Sequence, residues 1–130
     1  MIPKFRLWNR ITSQLHIVDG LYFDAREAEY VDDDNVLRFV GFKNIVLMQS
    51  TGLKDKNGKE IFEGDILAFE TDDEVINVKI FWDEKHALFM FGSEKYNEEE
   101  PLAELVEANT YPFEIIGNVY ENPELLEELR

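Results

Sequence analysis

A chain of 130 residues, 45% apolar and with ten Phe, has the size and core material of one ordinary domain, so a second independent domain is not expected. It contains no Cys, which excludes disulfides, thiolate nucleophiles and Cys-ligated zinc and fits a reducing compartment. The net charge of −15 is lopsided: residues 1–60 hold nine Lys/Arg against nine Asp/Glu, residues 61–130 hold four against nineteen, and a uniform phosphate-binding surface is thereby disfavoured. Excess acid keeps a protein soluble, and that is its plain role here. Two sharper readings stay open, an acidic half that meets a basic partner and an acidic half that imitates nucleic acid. No apolar run approaches the roughly 20 residues needed to cross a bilayer, and Met1-Ile-Pro-Lys-Phe-Arg6 lacks the apolar stretch of a secretion signal. A cytoplasmic protein without membrane contact is expected.

Along the chain, Asp19-Gly20 lies between His16-Ile-Val18 and Leu21-Tyr-Phe23, and Asn57-Gly58 lies between Leu53–Lys56 and Lys59–Phe62. Both dipeptides suit the positive φ values of type I′ turns, so each predicts a hairpin. Asp32-Asp-Asp-Asn35, Asp72-Asp-Glu74 and Asp83-Glu-Lys85 read as solvated loops around apolar runs. Val36–Val40, Ile45–Met48, Ile61–Phe69, Ala87–Phe91 and Phe113–Tyr120 are short and rich in β-branched or aromatic residues, as strands are. Within Val75–Trp82, Ile76, Val78, Ile80 and Trp82 alternate with Asn77 and Lys79, a period of two that marks one buried face. Val75 and Phe81 fall on the other face, so partial cover is expected there. Glu63-Gly64-Asp65 reads as a turn launching Ile66–Phe69, with the Asp65 carboxylate accepting backbone amides.

Helical spacing occurs twice. Leu102, Leu105 and Val106 predict a short helix near 100–107, begun either by an Asn97/Glu100 capping box or with Glu100 as its flank. Asn122-Pro-Glu-Leu-Leu-Glu-Glu-Leu129 combines an N-cap residue, Pro at the first helical position and leucines at 125, 126 and 129, and predicts a C-terminal helix near 123–129. The fold class is mainly β with minor α. A compositional shift near residue 50 divides 1–48, an antiparallel β layer, from 49–130, two subdomains of one fold.

The stretch Thr51-Gly-Leu-Lys-Asp-Lys-Asn-Gly-Lys-Glu-Ile-Phe-Glu-Gly-Asp-Ile-Leu67, preceded by Met48-Gln49 and echoed by Ile116-Gly-Asn118 and Tyr120-Glu-Asn-Pro-Glu-Leu-Leu126, resembles the YopX family of phage and prophage proteins. Lys4-Phe-Arg-Leu-Trp8 also resembles that family's opening strand. The resemblance implies a single domain over 1–130, an SH3-like β barrel in the C-terminal part, and a phage or prophage protein in a bacterial cytoplasm. It supplies no activity and no catalytic residues. Self-association is left open by it.

Chemistry-bearing patterns are scarce. Gly52 to Lys59 superficially suits a phosphate loop, but five residues separate Gly52 from Gly58 and Glu60 stands where the metal-binding hydroxyl belongs. An EF-hand begun at Asp32 would have Leu37 at its glycine and Lys43 at its bidentate Glu. His16 and His86 lie seventy positions apart with no local ligand motif, and Ser13, Ser50 and Ser93 lack a nucleophile-elbow setting. No catalytic, cofactor or metal residue is therefore assigned. One candidate contact is: Lys54, Lys56 and Lys59 cluster at a hairpin tip, with Trp8 and Tyr22 elsewhere for stacking, as in single-strand nucleic-acid modules, although Asp55 and Glu60 interrupt them. The expected function is non-enzymatic protein contact with a host or phage protein. Nucleic-acid binding through Lys54–Lys59 is the alternative.

Overall fold

The computed structural model describes residues 3–93, 95–104 and 113–126. The chain is mainly β, and it divides into two compact units, Met1–Ser50 and Thr51–Arg130. In the first unit lie β1 (Phe5–Asn9), β2 (Gln14–Ile17), β3 (Gly20–Tyr22), β4 (Glu27–Val31) and β5 (Leu37–Gly41), then a 3-10 turn over Phe42–Asn44. β6 (Ile45–Lys54) follows and runs past Ser50. The second unit adds β7 (Glu60–Phe62), β8 (Asp65–Glu70), β9 (Val75–Asp83), β10 (Leu88–Ser93), β11 (Glu98–Pro101) and β12 (Phe113–Asn118), and ends in a 3-10 turn over Pro123–Leu126.

In the first unit, β1 sits between β2 and the start of β6, while β3, β4 and β5 form a separate antiparallel sheet. Its core gathers Leu7, Ala28, Tyr30, Val40 and Ile45, with Val18, Leu21 and Phe42 packed around them. In the second unit the order β11-β10-β9-β8-β12 is antiparallel at every step, compatible with the SH3-like barrel that the resemblance implies. The alternation in β9 places Val78 and Ile80 in a core with Ile61, Leu67, Phe69 and Leu102. Each such aliphatic side chain taken from water contributes about 1.5–3 kcal/mol. Trp82, at the open end of that face, packs edge-on against Phe89 at 5.0 Å. On the opposite face Asn77 donates to the Leu125 carbonyl (2.9 Å), so the C-terminal turn covers part of it.

Several of the described loops close in the same way. Ser13, Arg26, Ala87 and Asn97 hold left-handed φ values of 52–57° immediately before the next strand begins. Asn35 (φ 65°) and Gly58 (φ 81°) take the same conformation one residue earlier, in two loops each begun by an aspartate. In those loops Asp32 and Asp55 carbonyls accept from Asn35 N (2.9 Å) and Gly58 N (3.0 Å), and their own amides donate to Val36 O and Lys59 O. This is a type I turn closed by a left-handed residue, whose twist suits paired strands.

Four sequence expectations change. Asp19-Gly20 does not make a hairpin: β2 pairs with β1, β3 pairs with β4, and the chain switches sheets between them. A Cβ at Gly20 would come within 2.8 Å of Glu29 Oε2 and 3.2 Å of the Tyr22 ring, so those two side chains would have to shift. The hairpin at Asn57-Gly58 exists, but only Gly58 has positive φ, so the turn is not type I′. The Asn97/Glu100 capping box is replaced by strand β11, with Asn97 closing the β10–β11 loop. Helix is observed over residues 102–104; the remainder of the helix expected near 100–107 lies outside the described residues. At the C-terminus the described part of the expected helix, Pro123–Leu126, is a 3-10 turn, and 127–129 lie outside the described residues. Asn122 uses its side chain to accept from Asn118 N (3.3 Å), and its carbonyl takes the i+3 amide of Leu125 (3.1 Å).

Candidate functional site

Lys54 ends β6, and Lys56 and Lys59 stand on the loop to β7; all three side chains are exposed. The residue that shapes this loop is Asp55, which is only 6% exposed. Its Oδ1 accepts Asn57 N and Lys59 N, each at 2.9 Å, and its Oδ2 accepts Ile115 N on β12 at 2.9 Å. Burial raises the Asp55 pKa, but the amides of Ile115, Lys59 and Asn57, with the Lys59 charge, outweigh that and hold it below the usual carboxylate range. Lys56 N donates to Phe113 O at 3.0 Å, which fastens the loop to β12 a second time. Asn57 Nδ2 meets Glu114 Oε2 at 3.3 Å, so a carboxylate stands beside the lysines. The hairpin presents three cations, yet its rigid elements are turn chemistry.

The other conspicuous residues are architectural as well. Gly64 has φ 89° and Asp65, 2% exposed, accepts Phe62 N at 2.8 Å, as the sequence led us to expect. Asn118 is buried; its Oδ1 accepts Tyr120 N (3.0 Å) and Glu121 N (2.9 Å), and its Nδ2 donates to Glu121 Oε1 (2.9 Å). Gly117 admits the Asn122 side chain, whose Oδ1 would lie 2.5 Å from any Cβ added there. His16 is buried and stacked on Tyr30 at 4.2 Å, and the Tyr30 hydroxyl accepts Asn9 Nδ2 at 3.1 Å. His86 is exposed and paired with Asp83 at 2.7 Å, which holds the Asp83 pKa below its usual value. Trp8 lies on β1 and Tyr22 on β3, where Tyr22 donates to Glu29 at 2.8 Å. Among the described residues no three His, Asp or Glu side chains group as a metal site, and no helix is long and apolar enough to cross a membrane.

Among the described residues, exposed apolar surface is concentrated in the first unit. The pairing of β4 with β5 turns Ala28, Tyr30 and Val40 inward and leaves Val31, Leu37 and Phe39 on the opposite face. Phe39 is 55% exposed and Leu37 52%; Tyr22 joins them from β3, its ring 6.1 Å from that of Phe39. Glu27 and Glu29 are interleaved on the same face. Nearby, Arg26, Glu27, Phe42, Lys43 and Asn44 line an open depression of about 440 Å³. Sequence reasoning found the strand Val36–Val40 but not this face, because Glu27-Ala-Glu-Tyr-Val31 was not recognised as the neighbouring strand. Its own alternation, with Ala28 and Tyr30 between Glu27 and Glu29, was the available signal.

Antiparallel sheets joined by short loops, with buried Asp and Asn residues reserved for those loops, define a small β protein whose distinctive motif builds its frame. The chain belongs to the YopX family: the family described as YopX protein matches residues 4–127. Protein EF1440 from Enterococcus faecalis is 29% identical over 97% of this chain and 99% of its own, with a TM-score of 0.64. Protein yopX from Bacillus subtilis shares the fold at 22% identity, over 95% of this chain and 97% of its own, with a TM-score of 0.59. No curated protein matches.

Proposed function

We propose that the protein is a phage- or prophage-borne accessory factor of the bacterial cytoplasm that acts by contact with a host or phage protein and catalyses no reaction of its own. The observation that carries this reading is the outer face of β3–β5, where Tyr22, Val31, Leu37 and Phe39 stand exposed side by side. Contiguous apolar side chains left in water on a small β sheet mark an interaction surface. The interleaved Glu27 and Glu29 favour a partner whose contact surface is apolar with Lys or Arg at its edge. The test is co-purification of a tagged chain from an infected or induced culture. A stoichiometric protein should be retained by the wild type and lost from the Tyr22→Arg, Val31→Arg double variant. Retention of nothing, or of the same protein by both, overturns the reading.

A second reading has its own support in the exposure of Lys54, Lys56 and Lys59 on one loop. Direct binding of single-stranded nucleic acid there should appear in low-salt shift assays and weaken on Lys54→Glu and Lys59→Glu. No shift with either DNA or RNA dismisses it.

A further inference from the structure

The edge of the β3–β4–β5 sheet supplies a more specific partner. β5 pairs with β4 alone among the described strands. Asp32 N donates to Val36 O and Phe42 N to Arg26 O, which fixes the even-numbered residues of this segment as those bonded to β4. In an antiparallel ladder the bonding direction alternates, so the amides and carbonyls of Leu37, Phe39 and Gly41 point to the open edge. Protein edges are usually blunted by charge, proline or a bulge. β11, at the edge of the other sheet, carries Glu98, Glu99, Glu100 and Pro101. β5 carries no carboxylate and no proline, and its Arg38 is held by Asp32 at 2.8 Å.

We propose that β5 pairs with β5 of a second copy of this chain, antiparallel and about a two-fold axis at Phe39. That register forms about six backbone hydrogen bonds, exchanged between Phe39 and its counterpart and between Leu37 and Gly41 in both directions. It sets the two Phe39 rings side by side, opposes Arg38 to Val40, and puts Leu37 across from Gly41, where no side chain competes. Beyond the strands it brings the acidic Asp33-Asp34 loop of each copy to the end where the exposed Lys43 of the other stands. At each end one lysine thus faces two carboxylates. The proposal goes beyond the partner reading: pairing would join two apolar faces into one continuous sheet, but it stands on the backbone edge and not on that face.

Sedimentation velocity from dilute to concentrated solution tests it. The wild type should pass from monomer to dimer, and Phe39→Lys should stay monomeric with an unchanged far-ultraviolet spectrum. Because the chain has no Cys, Phe39→Cys gives a second arm. Residues exchanging hydrogen bonds across the axis lie about 5.5 Å apart at Cα, too widely set at Cβ for a direct disulfide but within reach of a short bis-maleimide. A short bis-maleimide should yield covalent dimer at Phe39→Cys and not at Val75→Cys, an exposed position in the other unit. A wild type that stays monomeric, a dimer that survives Phe39→Lys, or equal cross-linking at both cysteines overturns the proposal. None of these outcomes depends on whether a host or phage partner is captured.

Discussion

Replacing Asp55 probes the turn chemistry on which the second unit depends. Its carboxylate accepts Asn57 N, Lys59 N and Ile115 N, and Ile115 belongs to β12, sixty residues away in sequence. Asp55→Ala leaves those amides without their acceptor. Hydrogen bonds to a charged group contribute about 1.5–3 kcal/mol each, but they are not additive and water reaches the exposed loop amides, so a net loss of about 2–4 kcal/mol is expected. For a chain this long each kcal/mol moves the Tm by roughly 3–5 °C, giving a drop of about 10 °C by circular dichroism at neutral pH. Asp55→Asn should fall between, since its one oxygen can serve the loop amides or Ile115 but not both sets. The pH dependence has a definite sign. Asp55 is more acidic folded than unfolded, so its contribution is full above the unfolded pKa of about 4 and fades as pH falls through the lower folded value. The gap between wild type and Asp55→Asn should therefore narrow on acidification below that point. An Asp55→Ala melting curve within a degree or two of wild type would refute this reasoning.

Other consequences concern backbone and packing. Ala87 closes the β9–β10 loop at φ 53°, and Ala87→Gly should raise the Tm by a degree or two, because relief of about 1–2 kcal/mol of left-handed strain exceeds the extra chain entropy of glycine. Gly58→Ala has open space around its new Cβ but φ 81°, so it should lose about 1 kcal/mol by strain alone, measured by urea denaturation. Gly64→Val, at φ 89°, should lower the Tm by several degrees in calorimetry, since a β-branched side chain is poorly tolerated there. Gly117→Ala should destabilise by a different route, forcing Asn122 away from Asn118 N, and Asn122→Ala should relieve part of that loss in a double-mutant cycle.

Residues whose chemistry is local were legible in the sequence. Gly64 with Asp65, the alternation of Val78 and Ile80, and the hairpin at Asn57-Gly58 each express a turn preference or a period of two, and all appear where expected. Features set by distant partners were not. Asp19-Gly20 has the composition of a hairpin turn, but the strands on either side of it pair with β1 and β4 and not with each other. β11 is a strand of three glutamates because Met90 to Ser93 on β10 supply the ladder that its propensity does not. Left-handed φ at Ser13, Arg26 and Ala87 left no glycine in the sequence to announce those loops. Asp55 looked like an interruption of a basic cluster because its Ile115 partner is remote. The exposed β3–β5 face was hidden for the same reason: Tyr22, Val31, Leu37 and Phe39 become neighbours only through strand pairing.

Amide hydrogen exchange, followed residue by residue in dilute and concentrated solution, tests most directly whether the working surface is the open sheet of the first unit. The amides of Leu37, Phe39 and Gly41 should exchange rapidly when dilute and slow as concentration rises, while those of Lys56 to Gly58 stay unchanged. Edge amides whose exchange does not respond to concentration, with new protection appearing at the lysine hairpin, would contradict the account.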